Sequence, residues 1–444
     1  MTASSHPDQG ARPKRGGPYV IDVEVTWQTL AALIALVTFI AASALIALVT
    51  AIATSRHDVL RETWVTYRGD FITADGRVRE NPPFDWGETT SEGQAYAMLR
   101  AAWLDDRPTF DRTWHWTQVH LQVRGDALFG WLWGRDQAAG RWTLLNRSTA
   151  ADADEDIALA LVFAAHRWPD GPYLAEARSV ISGVWAREVV VERGRPYLVA
   201  GEWAAAMRPQ IVVNPSYLAP YAYRVFAAED PGHPWAQLVD SSYRVLDRCT
   251  WSRLNEDASV GLPPNWCVLS DDSGTAHAYW EQGGDTYGSD AFRVMWRVAL
   301  DFEWNGAPQA ISYLKRSQFL RREWSHHHRL LAQYQHNGSG DQKGGEEPFA
   351  YAGDIGDFMV IDPAAARSIL RDKLLVSLHR ERSAVYWGDR ANYYAENWIW
   401  FGVALSEHRL VDLAEPWGPT CQRESAESRP CLVRVSLRQG SRVA

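Results

Sequence analysis

The chain has 444 residues, with 45 basic against 54 acidic side chains and a formal net charge of −9, a length suited to two or three domains or to one large barrel. It has no basic patch and no polybasic tail, which excludes the electrostatic footprint of a nucleic-acid binder. The 23 Trp, 17 Tyr and 13 Phe exceed the needs of a core, because an indole is rarely fully buried and its N–H requires a partner. Flat aromatic faces suit the apolar faces of pyranose rings, so a carbohydrate polymer is the first partner expected, with surplus core tryptophan as the alternative.

Residues 1–25 read as a polar, disordered cytoplasmic tail. Residues 26–55 carry no charge between Glu24 and Arg56, and "LAALIALVTFIAASALIALVTAIAT" (30–54) is almost wholly apolar. At a helical rise of ~1.5 Å per residue such a run crosses a hydrocarbon core of ~30 Å, with Trp27 as an interfacial anchor. A single N-terminal transmembrane helix is therefore expected. The rival is a signal peptide cleaved after "AIA" (51–53), although the apolar run is longer than such regions usually are. Arg12, Lys14 and Arg15 before the run balance Arg56, Arg61 and Arg68 after it, so charge alone leaves the orientation open.

Beyond the anchor lies one large domain, 56–415, followed by an irregular tail, 416–444. Apolar positions recur at helical spacing over 92–105, 110–125, 152–168, 172–187, 216–228, 234–252, 288–303, 307–324, 363–380 and 393–407. In "TTSEGQAYAML" (89–99), Ser91 and Gln94 form an S-x-x-Q capping box, and Glu92 is either a charge matched to the helix dipole or something more. "REVVVERGRPYLVAG" (187–201) predicts the one β-hairpin. The stretch 334–348 reads as a long flexible loop. His326, His327 and His328 are adjacent and point in different directions on a helix, which argues against a metal site. Cys249, Cys267, Cys421 and Cys431 make no C-x-x-C pattern; outside the cytoplasm Cys249 with Cys267 and Cys421 with Cys431 are the expected pairs. A dozen helices without a linker predict an all-α fold, a closed ring of helical hairpins.

Two further helix starts are acidic. "AADADEDIALALVFAAHRW" (150–168) places Asp152, Asp154 and Asp156 before an apolar face, more acid than capping needs. "YGSDAFRVMWRVALDFEW" (287–304) places Asp290 after Gly288 and Ser289, with Arg293 one turn on, positioned to pair with a carboxylate. Three helices thus begin with carboxylates that converge if the helices form a ring.

These fragments, with "FDRTWHWT" (110–117), "NPSYLAPYAYRVFA" (214–227) and "GLPPNW" (261–266), follow one another in an order that resembles glycoside hydrolase family 8. That is an inverting bacterial endoglucanase and chitosanase family with an (α/α)6 barrel. The resemblance runs from about Thr63 to Ser406. It implies Glu92 as general acid, Asp290 as general base and Asp152 as a carboxylate orienting the sugar in the central subsite. Inversion needs an acid and a base roughly 6.5–9.5 Å apart with water between them. A helix N-terminus lowers the pKa of Glu92, so burial or the charge of Asp152 must raise it. Aromatics flanking these motifs, Trp86, Trp114, Trp116 and Trp142, with Tyr217 and Trp203 behind them, are the candidate sugar platforms; each is otherwise a core residue. One departure stands out: the family has Ser or Thr before its first Asp, and this chain has Ala151. The missing hydroxyl is either a lost polar contact or a lost helix cap.

The expected reading is a membrane-anchored, extracytoplasmic endo-β-1,4-glucanase using no metal and no cofactor. Its expected partner is a β-1,4-linked polysaccharide; protein partners are not legible. A chitosanase, a xylanase or a catalytically silent glycan-binding subunit is the alternative.

Overall fold

Helical periodicity is realised almost everywhere it was expected. In the computed structural model of the chain, which describes residues 35–40, 43, 58–80, 87–254, 258–270, 276–279, 284–340 and 345–415, helices cover Ser91–Trp103, Arg107–His120, Ala151–Arg167, Tyr173–Glu188, Pro220–Glu229, Trp235–Trp251, Arg293–Asn305 and Tyr393–Ser406. The segment expected over 307–324 is broken into Pro308–Arg316 and Phe319–His327, and the one over 363–380 is α-helical only across Pro363–Ile369. Among the described residues, three helices, Val59–Phe71, Pro348–Ile361 and the single turn Glu202–Ala205, lie where the sequence pattern predicted none. The unit Asp58–Trp417 is one compact body.

Six helices form the inner ring. Ser91–Trp103 packs on Ala151–Arg167, then Pro220–Glu229, Arg293–Asn305, Pro348–Ile361 and Tyr393–Ser406 follow, and the last returns to the first. Most of their residues are buried, and in Ser91–Trp103 and Ala151–Arg167 nearly all of them, as expected of helices covered on most sides. The remaining helices pack outside them, Tyr173–Glu188 on Ala151–Arg167 and Trp235–Trp251 on Pro220–Glu229, for example. The result is a closed α/α barrel, in which the N-terminal ends of the inner helices can carry a site.

Among the described residues, four small sheets decorate it. The predicted hairpin is present as Val189–Glu192 paired with Arg195–Leu198, and its turn residues Arg193 (φ 49°) and Gly194 (φ 76°) are both left-handed, the geometry that matches strand twist. The sequence reading missed Leu132–Asp136 with Arg141–Asn146, which pairs through Trp133 and Leu132 with Thr89 and Thr90. It also missed Ile211–Val213 with Cys267–Leu269 and Ala276–His277, and Leu378–Glu381 with Ala384–Trp387.

Two cap assignments are corrected. The cap of Ser91–Trp103 is Thr90, whose Oγ1 accepts from Gly93 N–H at 3.1 Å. Gln94 instead accepts from Val78 N–H at 2.6 Å and donates to Gly76 O, Thr113 O and Thr117 Oγ1, tying the helix to its neighbours. The cap of Ala151–Arg167 is Ala150, with no side-chain acceptor, so residue 151 is not a cap position and a hydroxyl there would not cap the helix. The acids after it turn to other partners: Asp154 accepts from Phe129 N–H at 3.1 Å, and Asp156 holds Arg297 bidentately at 3.0 and 2.9 Å.

A disulfide joins Cys249 and Cys267, Cα atoms 6.0 Å apart. Cys421 and Cys431 lie outside the described residues. So does the predicted anchor, 26–55, apart from residues 35–40 and 43, which are helical and exposed. No helix among the described residues is long and apolar enough to cross a membrane.

Candidate active site

One guanidinium organises the site. Arg293, in the first turn of Arg293–Asn305, donates from Nη1 to Glu92 Oε2 at 3.0 Å and to Asp152 Oδ2 at 3.0 Å, and from Nη2 to Asp290 Oδ1 at 2.6 Å. Three carboxyl groups from three parts of the chain therefore meet on one fork. Only Arg can bind them so, because its planar donors are fixed in direction while a Lys ammonium is a point charge. Arg293 and Asp152 are buried, with side chains 1% and 2% exposed, whereas Glu92 and Asp290 keep 21% and 30%. Glu92 and Asp290 are therefore the two carboxyls of the group that solvent reaches.

Their relative placement is bounded by the fork. The two contact lengths and the width of a guanidinium put the bonded oxygens of Glu92 and Asp290 at most roughly 8 Å apart, a ceiling that admits the spacing of inverting pairs and the shorter one of retaining pairs alike. Asp290 sits in the turn before its helix, not in the helix itself. That turn is pinned by Asn265, whose Oδ1 accepts from Asp290 N–H at 3.2 Å and Ala291 N–H at 3.0 Å, and by Tyr394, whose hydroxyl donates to Ser289 O.

Burial lifts the Glu92 carboxyl to about 8, and the charges of Asp152 and Asp290 push the same way against the attraction of Arg293. Glu92 therefore retains its proton at neutral pH, although it lies at a helix N-terminus. Burial also raises Asp152, opposed by Arg293 and Arg297. Tyrosines complete the shell. Arg293 Nη1 also donates to the Tyr96 hydroxyl at 3.3 Å, which accepts from Trp398 Nε1 at 3.1 Å. The Tyr393 hydroxyl lies 3.5 Å from Glu92 Oε1, and the Tyr217 ring is 5.4 Å from the Arg293 guanidinium carbon.

The sequence model of Glycosyl hydrolases family 8 matches residues 32–333, more than half of the chain. The chain belongs to this family. Among curated family relatives it is similar to Endoglucanase 2 of Ruminiclostridium josui, 32% identical over 264 residues that cover 57% of this chain and 52% of the relative. It is also similar to an endoglucanase of Salmonella typhi, 27% identical over 372 residues, 81% of this chain and 91% of the relative. The chain spans about half the length of the first curated relatives it matches. Among solved structures, an endo-1,4-D-glucanase of Vibrio fischeri ES114 superposes with a TM-score of 0.64 at 21% identity, over 78% of this chain and 94% of that one.

Of the residues singled out from the family 8 motifs, the fold brings Glu92, Asp152, Asp290, Arg293 and Tyr217 together. It does not bring Trp114 or Trp116. Both lie on the outer helix Arg107–His120 and are buried, at 5% and 3% exposure; Trp114 packs edge-on against Phe129, and Trp116 stacks on His120 with Trp133 across its edge. They are core residues, without an open face for a sugar. Trp142 is 38% exposed on the hairpin beside Thr89–Thr90 and stacks on Trp133. Trp86 lies outside the described residues.

Trp203 belongs to a group that sequence reasoning only half recognised. From Tyr217 the rings continue to Trp266 at 6.0 Å, and from there to Tyr279 at 5.6 Å and Trp203 at 6.2 Å, all partly exposed. Trp266 and Asn265 stood in the quoted "GLPPNW" motif, so their signal was available. Tyr393 and Tyr394 opened a predicted helix, but without an acid directed at the site they carried no flag.

Proposed function

We propose that the chain is an inverting endo-β-1,4-glucanase acting on cellulose or a related β-1,4-glucan, with Glu92 as general acid, Asp290 as general base and Asp152 orienting the sugar. The observation that carries this reading is the single buried guanidinium holding three carboxyls, of which the two exposed ones differ in environment and one keeps its proton near neutrality. A carboxyl that keeps its proton beside a second carboxyl on the same guanidinium is the arrangement a general acid requires. Endoglucanase names among the relatives favour a β-1,4-glucan.

In this mechanism Glu92 delivers its Oε1 proton to the glycosidic oxygen as the bond from that oxygen to the anomeric carbon breaks. Its other oxygen remains on Arg293. Asp290 accepts a proton from a water molecule that attacks the anomeric carbon from the opposite face, so the configuration inverts. Asp152, fixed by the same guanidinium, accepts from a sugar hydroxyl as the ring flattens toward its oxocarbenium-like transition state. Tyr217, Trp266, Tyr279 and Trp203 form a track for successive pyranose faces. No metal or cofactor enters these steps.

For residues 26–55 we propose a membrane anchor, with the catalytic domain extracytoplasmic. The uncharged run between Glu24 and Arg56 and the Cys249–Cys267 disulfide support this, since disulfides persist in oxidising compartments. Reporter fusions after residue 60 that are active only in the cytoplasm overturn the topology. The activity is tested by reducing-sugar release from carboxymethylcellulose, lichenan, chitosan and xylan by the full chain. Release from the first two supports a β-1,4-glucanase; release from chitosan or xylan alone assigns a different glycan to the same machinery, and release from none favours a silent glycan-binding subunit.

A further inference from the structure

The turn that carries Asp290 is closed from outside. The N–H groups of Phe292, Arg293, Val294 and Met295 find acceptors within the turn, at Gly288 O, Asp290 O, Ala291 O and Phe292 O. Those of Asp290 and Ala291 go instead to a side chain from another segment, Asn265 Oδ1, at 3.2 and 3.0 Å. A helix start ordinarily has such donors satisfied by a neighbouring cap residue, but Phe292, at the cap position, supplies no side-chain acceptor. The Asn265 amide is oriented by its other end: Nδ2 donates to Thr286 Oγ1 at 3.1 Å, and Asn265 N–H donates to Thr286 O at 2.7 Å. With its NH2 group on Thr286, the oxygen is turned toward the two N–H groups. The chain after Asn265 is anchored in its own right. Trp266 N–H donates to Gly284 O at 2.7 Å, Cys267 is bonded to Cys249 of the helix Trp235–Trp251, and the strand Cys267–Leu269 pairs with Ile211–Val213.

We propose that Asn265 is a positioning residue for Asp290: as a cap supplied from a separate segment, it fixes the backbone from which the base reaches the attacking water, while Arg293 fixes the carboxyl. The inference rests on Asp290 being the general base. Arg293 Nη2 holds one carboxyl oxygen, Oδ1, at 2.6 Å, and that contact alone lets the carboxyl swing about the guanidinium whenever its backbone moves. An Asp side chain has only two rotatable bonds, so fixing its backbone and one carboxyl oxygen fixes the direction of the other. The oxygen that takes the proton from water is then aimed before the substrate arrives. A displacement of about 1 Å in such a group costs up to ~10²-fold in rate. Trp266, the next residue, belongs to the ring track, but its own N–H and the strand after it hold it in place. Removing the Asn265 side chain therefore leaves the sugar platform standing. Two adjacent residues divide the work: Asn265 serves the chemical step through Asp290, and Trp266 serves binding.

The test is kcat and KM on carboxymethylcellulose at pH 7 for the full chain, its Asn265→Ala, Asn265→Asp and Asp290→Asn variants, and the Asn265→Ala/Asp290→Asn double variant. Asn265→Ala lowers kcat about ten- to hundredfold and leaves KM within about twofold. Asn265→Asp keeps an acceptor for both N–H groups, as Asn and Asp cap equally well, and holds kcat within about threefold of wild type. In the Asp290→Asn background Asn265→Ala costs less than about twofold, because no base remains to be misaligned, whereas a merely structural contact would cost the same in both backgrounds. An unchanged kcat in Asn265→Ala, a loss carried by KM, a loss in Asn265→Asp as large as in Asn265→Ala, or an undiminished further loss in the double variant overturns the proposal. If Asn265→Ala does not fold, Asn265→Ser, whose shorter side chain does not span both N–H groups, carries the same expectation and the same refutation. Asp290→Asn distinguishes the two levels: an active Asp290→Asn overturns the base assignment itself, whereas an inactive one beside an unimpaired Asn265→Ala overturns only the role of Asn265.

Discussion

Glu92→Gln separates the electrostatics of the site from its catalysis. The amide keeps the shape of the side chain and an oxygen for the Arg293 contact, but it cannot ionise. In the folded chain burial, aided by Asp152 and Asp290, holds the Glu92 carboxyl at about 8 against an ordinary 4.5. A group whose native pKa is raised contributes its full stability below its unfolded value and loses it as pH rises toward the native one. Between pH 4.5 and 8 the unfolded chain ionises freely while the folded chain must keep the proton, at ~1.4 kcal/mol per pH unit. Wild-type stability therefore falls relative to Glu92→Gln across that window, by up to roughly 5 kcal/mol at its upper end. Urea denaturation of both proteins at pH 5, 6, 7 and 8 measures the difference. The expected result is a gap that grows in favour of the variant with each step and levels off above pH 8. A gap independent of pH would refute the reasoning, because it would mean that Glu92 titrates alike in the folded and unfolded chain.

Asp290→Asn is expected to lower kcat on carboxymethylcellulose by at least ~10²-fold with glycan affinity nearly unchanged, as single-turnover and binding measurements would show. Arg293→Lys keeps one charge but not three directed donors; kcat falls ~100-fold, and Tm falls too because a buried network is left partly unpaired. Trp266→Ala weakens cello-oligosaccharide binding about tenfold without unfolding the chain, whereas Trp116→Ala destabilises it by about 3–5 kcal/mol and leaves KM unchanged in the protein that remains folded. Ala151→Ser places a hydroxyl at a fully buried position that does not cap the helix; stability falls by about 1–3 kcal/mol and kcat/KM stays within twofold, and a gain in activity would show that the hydroxyl reaches the sugar.

The three carboxylates were legible because each lies beside the start of a strongly periodic segment, and an acid beyond what capping requires marks such a start. Arg293 followed from spacing alone, three residues after Asp290. The aromatics were not legible in the same way. Trp116 and Trp266 differ only in what tertiary packing lays over them, and no local pattern records that. Helix Pro348–Ile361 was missed because Gly353 and Gly356 weaken the helical signal. Both glycines are required by packing: a Cβ on Gly353 would stand 2.1 Å from Phe292 Cδ2, and one on Gly356 would stand 2.4 Å from Met295 O. The helix lies that close to Arg293–Asn305, so residues that look like helix breakers permit the contact that closes the ring. The hairpin Leu132–Asn146 escaped for the converse reason. Its turn across residues 137–140 has none of the two-residue Asn-Gly or Asp-Gly chemistry that announces a hairpin.

Inversion by Glu92 and Asp290 is tested most directly by following the anomer first released. Proton NMR of cello-oligosaccharide hydrolysis by the full chain, read before mutarotation equilibrates the product, should show new reducing ends appearing in the α configuration from a β-linked substrate, with none formed by Glu92→Gln or Asp290→Asn. New reducing ends in the β configuration would contradict the account, as would undiminished product formation by either variant.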